Sequence, residues 1–205
     1  MLTPVIESRT NYNGNTISLE QTSYKGINTP NPNNYFQSTY AVDKIKYCKS
    51  GDYVDLENVV SFHNYDQYSN PAEVSKRDGT RISYIWGYNG KYPIAKIENA
   101  SQPTNDNATQ GFTIIDSNLS QAAINKSNTG TEAELLSALS DLRHSLPNAM
   151  VTTCTYIPLV GVSTITDPKG SVMTYTYDSV GRLQYVKDDQ NNILSEYEYN
   201  YKSQN

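Results

Sequence analysis

Met173-Thr174-Tyr175-Thr176-Tyr177-Asp178-Ser179-Val180-Gly181-Arg182-Leu183-Gln184-Tyr185 is the stretch whose reading decides the fold. Met173, Tyr175 and Tyr177 fall on one side of a period-two alternation and Thr174 and Thr176 on the other, which is the signature of a strand with two different faces. Asp178 to Gly181 then supplies turn residues. Aspartate can accept a hydrogen bond from the backbone two residues on, and glycine takes a positive φ without a Cβ clash. Leu183 and Tyr185 resume the strand pattern, so the whole reads as a hairpin. Lys187 to Asn192 is a second polar turn. After it, Ile193, Ser195, Tyr197, Tyr199 and Tyr201 alternate with Leu194, Glu196, Glu198 and Asn200, extending the hairpin into an antiparallel meander with one aromatic face.

The same unit recurs elsewhere. Sliding the chain by 112 residues lays Tyr65 and Asp66 on Tyr177 and Asp178, and Val74 on Val186. A slide of 91 aligns Gly79 with Gly170, Tyr84 with Tyr175, Trp86 with Tyr177, Gly90 with Gly181 and Lys91 with Arg182. A slide of 22 sets Asp167, Tyr175 and Tyr177 on Asp189, Tyr197 and Tyr199. The unit is a strand ending in an aromatic residue, an Asp-led turn with Gly near its end, and a polar or basic residue opening the return strand. One such hairpin cannot bury its own face, whereas stacked copies lean on their neighbours.

Of the 18 tyrosines, eleven lie between Tyr12 and Tyr92 and seven between Tyr156 and Tyr201, with none in residues 93 to 155. That gap marks an insertion of different character, and the chain divides into residues 1–97, a helical insertion at 98–147, and residues 148–205. Thr131 and Glu134 form a capping box ahead of Leu135, Leu136, Leu139 and Leu142, so residues 131 to 145 are expected to be a helix. Asp116 or Ser117 to Lys126, with Leu119, Ala122, Ala123 and Ile124, is expected to form a shorter one. Glu98 to Gln110 reads as a polar, mobile loop.

At 205 residues the chain has room for one or two domains. Its 16 basic and 21 acidic residues give a net charge of -5 with no basic stripe, which argues against nucleic acid as a partner. No stretch approaches the roughly 20 apolar residues of a membrane span, and Met1 to Thr10 carries no signal pattern. Cys48 and Cys154 are open to pairing or to remaining separate thiols.

Constellations with chemical potential are few. His63 lies on a strand position matched by Tyr175, and His144 ends the second helix, where a cation suits the helix dipole. A hydrolase would need one of them beside a carboxylate and a nucleophile. Two His and two distant Cys give no zinc spacing. The acidic turn Lys187 to Asn192 lacks the glycine and distal Glu of a calcium loop. Glu196 and Glu198 share a strand face and read as solvated charge, and Gly87-Tyr88-Asn89-Gly90 reads as a turn, not a phosphate loop. The sequons at Asn99, Asn107, Asn118 and Asn125 mark a polar surface. The aromatic residues Tyr84, Trp86, Tyr88, Tyr175, Tyr177, Tyr197 and Tyr199 admit two readings: a glycan-binding platform if exposed, or the sheet's own packing.

Tyr177-Asp178-Ser179-Val180-Gly181-Arg182-Leu183, with Tyr65-Asp66-Gln67-Tyr68-Ser69-Asn70 as a second copy, resembles the YD repeat of bacterial RHS-repeat proteins. Tyr84 to Asn99 and Pro158 to Gly170 are similar to RHS-type proteins of the Bacteroidetes. The resemblance is carried by residues 60 to 99 and 147 to 201, and by Gly79, Gly90 and Gly170 as turn glycines. It implies a mainly β fold, with antiparallel YD-repeat hairpins forming an extended, curved sheet on which the helical insertion packs. It also implies an extracellular or cell-surface scaffold or shell wall whose partner is the rest of a larger RHS-type polypeptide or its cargo; with no catalytic or metal-ligand constellation in the residues, no catalysis, cofactor or metal is expected. Asp167-Pro168-Lys169-Gly170 departs from the family's self-cleavage motif, because Ser171 and another repeat follow it. The short distance from Tyr201 to Asn205 leads to the expectation of a C-terminal piece of a larger protein or a shortened relative. A sheet of this kind is expected to self-associate through its edges unless the insertion, Pro71 or Pro158 protects them.

Overall fold

A computed structural model describes residues 6–13, 15–30, 36–48, 56–103 and 112–200. Seven strands come first: β1 (Glu7–Tyr12), β2 (Asn15–Pro30), β3 (Phe36–Cys48), β4 (Glu57–Tyr65), β5 (Pro71–Lys76), β6 (Arg81–Gly87) and β7 (Tyr92–Glu98). The insertion contributes β8 (Ala100–Ser101), β9 (Thr113–Ile114), α1 (Ser117–Thr129) and α2 (Glu132–His144). The chain then returns with β10 (Met150–Ile157), β11 (Gly161–Thr166), β12 (Val172–Tyr177), β13 (Leu183–Lys187) and β14 (Ile193–Glu196). All strands except β8 and β9 form one twelve-stranded antiparallel sheet in which each strand pairs with the next in the chain, β7 being followed directly by β10. The expected mainly β, antiparallel sheet carrying two helices is therefore present.

Glu98 at the end of β7 faces Met150 at the start of β10, so the insertion leaves and rejoins the meander across one ladder step. Its helices cover one face of the sheet. Two rows of side chains cross that face: Glu73, Ser83, Ile97 and Val151 in one, and Ile85, Ala95 and Thr153 in the next, all buried. Leu135, Leu139 and Leu142 of α2, with Leu146 after it and Ala123 of α1, join Ile85, Ala95, Ile97 and Val151 in one core, while β8 and Gln102 cover Glu73 and Ser83. Burial of each leucine contributes about 2 kcal/mol.

The helix ends follow local chemistry. Thr131 and Glu134 make the expected capping box, and α2 stops at His144, whose Nδ1 donates to the Ser140 carbonyl at 2.8 Å. Asp116 caps α1 by accepting from the backbone N–H of Asn118 and Leu119. This helix runs three residues beyond the expected Lys126, because Gly130 N–H donates to Lys126 O and Thr129 Oγ1 to Asn125 O. The polar stretch after Glu98 is not a loop throughout. Ala100 and Ser101 are buried as β8, and the expected mobile part beyond Pro103, residues 104–110, lies outside the described residues, as do Asn107 and Tyr201.

One further expectation is corrected, and one alternative that the sequence left open is decided. Pro71 opens β5, an interior strand, and Pro158 sits between β10 and β11, so neither guards an edge. Cys48 is on β3 and Cys154 on β10, five ladder steps apart, or roughly 24 Å. Both are free thiols. A disulfide, which needs Cα atoms within about 7 Å, is ruled out.

Candidate functional site

Four turns share one design. In Asp66–Asn70, Asp167–Ser171, Asp178–Arg182 and Asp188–Asn192 the leading carboxylate accepts from the N–H groups two and four residues on. The Asp N–H also donates to the carbonyl of the fifth residue. The fourth residue has positive φ: Ser69 at 65°, Gly170 at 92°, Gly181 at 81° and Asn191 at 64°. Backbone donors hold Asp178 below its ordinary carboxylate range, and the Asn192 side chain does the same for Asp188. The acidic turn once compared with a calcium loop is thus an ordinary member of this set, with Asp188 engaged by its own turn. Asp188, not Asp189, is the structural counterpart of Asp167. Tyr177 follows Asp167 by ten residues and Tyr199 follows Asp188 by eleven, the extra residue being Leu194 at a bulge opposite Val186 and Lys187.

Aromatic residues at or near the ends of β4, β6 and β12, and just after β14, have a defined job. Tyr65 Oη donates to Val42 O, Tyr177 Oη to Val162 O at 2.9 Å, Tyr199 Oη to Leu183 O at 3.0 Å, and Trp86 Nε1 to Pro71 O at 2.8 Å. Each bond reaches back to the preceding strand or its first residue. Tyr156 does the same towards β7, donating to Pro93 O at 3.0 Å. A register shift immediately precedes Tyr65, Trp86, Tyr156 and Tyr177, and such bulges re-aim a side chain. Burial raises the Tyr65 hydroxyl to about 12, so it stays a proton donor at neutral pH. Arg182 adds a second tie: it binds the Asp178 carboxylate and places its guanidinium 4.6 Å from the Tyr199 ring centroid.

The seven aromatic residues considered as a glycan platform are not contiguous. Tyr84 and Trp86 lie on β6 with Tyr88 just beyond it, Tyr175 and Tyr177 lie on β12, and three strands separate the groups. Tyr197 and Tyr199 follow β14 and are exposed. Tyr88 Oη both accepts from Tyr156 N–H and donates to Tyr156 O, and Tyr92 stacks on Tyr156 at 4.8 Å.

Sequence reading missed the buried Glu73. Its carboxylate pairs with Arg81 and accepts from Ser101 Oγ and Gln102 N–H, each at 2.7 Å. Nearby, His63 Nε2 lies 2.9 Å from Ser75 Oγ, and burial, with Arg81 second, lowers the His63 pKa. No carboxylate hydrogen-bonds the other His63 nitrogen among the described residues, Glu73 being committed to Arg81 and β8. His144 is exposed at the end of α2. Among the described residues no group of three or more His, Cys, Asp or Glu is placed to hold a metal ion, and no helix is long and apolar enough to cross a membrane.

The surface has two adjoining cavities where α1 meets the sheet. One, of about 320 Å³, lies between α1 and the ends of β4 and β6, lined by Asn64, Tyr68, Trp86, Gln121 and Asn128 among others. The second, of about 480 Å³, is lined by Tyr92, Tyr156, Lys126 and Glu132. Asn89 and Asn128 border both. Between them the β6–β7 turn holds three successive positive-φ residues, Tyr88 at 50°, Asn89 at 57° and Gly90 at 76°. Ser127 Oγ accepts from Tyr88 N–H at 3.0 Å and Asn128 Oδ1 from Asn89 N–H at 2.7 Å, so α1 fixes this strained turn. The sequence held one signal for the groove: Gln121, Ile124 and Asn128 recur at helical spacing on one face of α1.

In comparison with known proteins, no family model matches the chain and no curated protein matches its sequence.

Proposed function

We propose that this chain is a non-enzymatic scaffold segment of the RHS/YD-repeat kind, serving as the wall of an extended sheet in an exported or surface bacterial protein. The observation that supports this reading is the fastening of β4, β6, β10, β12 and the segment after β14 to the neighbouring strand by an aromatic N–H or O–H, together with four self-contained Asp turns. Both devices are structural, and both recur with the repeat. Its partners on this reading are the rest of a larger RHS-type polypeptide or its cargo, and further copies of the same sheet.

A wall segment has edges that accept another strand. Among the described residues the outermost strands are β1 and β14, and β14 carries Ile193 and Leu194, each 54% exposed. Sedimentation of the purified chain over a concentration series is expected to show reversible association. Replacing Ile193 and Leu194 by lysine is expected to abolish it by placing charge on the edge. A chain that stays monomeric throughout, or a lysine variant that associates like the parent, would count against the reading.

A further inference from the structure

We infer that the groove between α1 and the ends of β4 and β6 binds a neutral oligosaccharide. This goes beyond the scaffold reading and does not depend on it.

The lining sets the chemistry. Among the described residues no lysine or arginine lines this cavity, and the single carboxylate among them, Asp66, is occupied by the N–H groups of Tyr68 and Asn70 and by Asn70 Nδ2. An anionic ligand finds no counter-charge there and a metal ion finds no ligand set. Carboxamides dominate the polar lining: Asn64 on β4, Gln67 and Asn89 in turns, Gln102 after β8, and Gln121 and Asn128 on α1, with Ser120 and tyrosine hydroxyls beside them. A carboxamide offers a donor and an acceptor side by side, which matches the vicinal hydroxyls of a pyranose, each donor and acceptor at once. Asn128 already accepts from Asn89 N–H through Oδ1, which fixes its amide orientation with Nδ2 left for a ligand.

Aromatic surface completes the site. Trp86 is held in place by its indole bond to Pro71 O, and Tyr68, 44% exposed, packs its ring against Gly90. A Cβ at Gly90 would come within 2.2 Å of that ring, so the turn and the tyrosine are fitted to one another. Aromatic walls with a few convergent polar groups, enclosing about 300 Å³ or more, describe a small-ligand site. The second cavity adjoins this one past Asn89 and Asn128 but is lined by Lys91, Lys126 and Glu132, so the neutral-sugar assignment is made for the first cavity, with the strained turn at the junction.

Calorimetric titration of the whole chain with maltohexaose, cellohexaose, mannohexaose and chitohexaose tests the assignment, with a heparin hexasaccharide and a proline-rich peptide as contrasts. At least one neutral hexasaccharide is expected to bind saturably, and Tyr68→Ala and Gln121→Ala are each expected to weaken it by about tenfold or more, while Tyr197→Ala leaves it unchanged. Gln121 is exposed on α1 and, among the described residues, its side chain bonds only to Asn125, so that variant keeps its fold even if Tyr68→Ala does not. Absence of binding by every neutral sugar at millimolar concentration, preference for heparin or the peptide, or unchanged affinity in Gln121→Ala would overturn the proposal.

Discussion

Gly161 makes room for Tyr177. A Cβ at position 161 would lie 2.3 Å from the Tyr177 hydroxyl oxygen, the atom that donates to Val162 O. The φ of Gly161 is not in the left-handed region, so alanine is excluded only by the tyrosine above it. Gly161→Ala and Tyr177→Phe are each expected to cost about 1 kcal/mol. The double variant is expected to cost less than the sum, since both break one bond. Urea titration of the four proteins of the cycle checks this, and strict additivity would separate the two residues.

Arg81→Ala is expected to be among the most damaging single changes. Glu73 is fully buried, and removing its cation leaves a carboxylate with only the Ser101, Ser83 and Gln102 donors. Breaking a buried pair from one side costs about 3 kcal/mol or more. The measure is the thermal midpoint. Glu73→Gln, which keeps the acceptor oxygen, should cost less than Arg81→Ala.

His63 gives the chain a pH dependence. Burial, then Arg81, holds its pKa below the ordinary 6.5, so the unfolded chain binds the proton more readily than the folded one. Stability is therefore at its plateau above pH 6.5 and falls as the pH drops from there towards the lower folded value. Urea midpoints between about pH 8 and pH 5 should decline for the parent chain and stay flatter for His63→Gln. Equal slopes would assign the decline elsewhere.

Acid should loosen the insertion in a second, lower window. The Lys126 ammonium, then the Thr131 N–H, hold the Glu134 carboxyl at about 2 against an ordinary 4.5. Its contribution is complete above pH 4.5 and is lost as pH falls through about 2. Helical circular dichroism of Glu134→Gln at neutral pH should already show the earlier melting that the parent acquires only in acid.

Gly87→Ala tests how tightly α1 sits on the sheet. A Cβ there would meet Ser127 Oγ at 2.4 Å and Ile94 Cγ2 at 2.7 Å. Overpacking of this kind costs about 1–3 kcal/mol. Amide exchange in α1 should rise along with the loss of stability, whereas protection in β12 and β13 should change little.

Much of this was legible because it is local. The Asp turns need five consecutive residues, and the capping box of α2 needs four, so both stand in the sequence as written. Leu135, Leu139 and Leu142 announced the buried face of α2 by their spacing alone. What was hidden depends on distant partners. The carboxylate of Glu73 is satisfied by Ser101 and Gln102 across 28 and 29 residues, and nothing near Glu73 in the chain predicts that. The strand-ending tyrosines were visible as a period, yet the bulges that aim them, and the carbonyls they bind, belong to the folded backbone. One extra residue, Leu194, was enough to move the apparent repeat from Asp188 to Asp189.

Because Glu98 and Met150 are ladder partners, the chain returns from its excursion to the spot it left, and the sheet on either side is unaware of what lies between. Growth of such a molecule can proceed by splicing: hairpins may be added at a rim and whole helical modules exchanged at a seam, without redrawing any other pairing. The insertion is in that sense a module seated on a rail, removable or replaceable without altering any pairing of the rail itself.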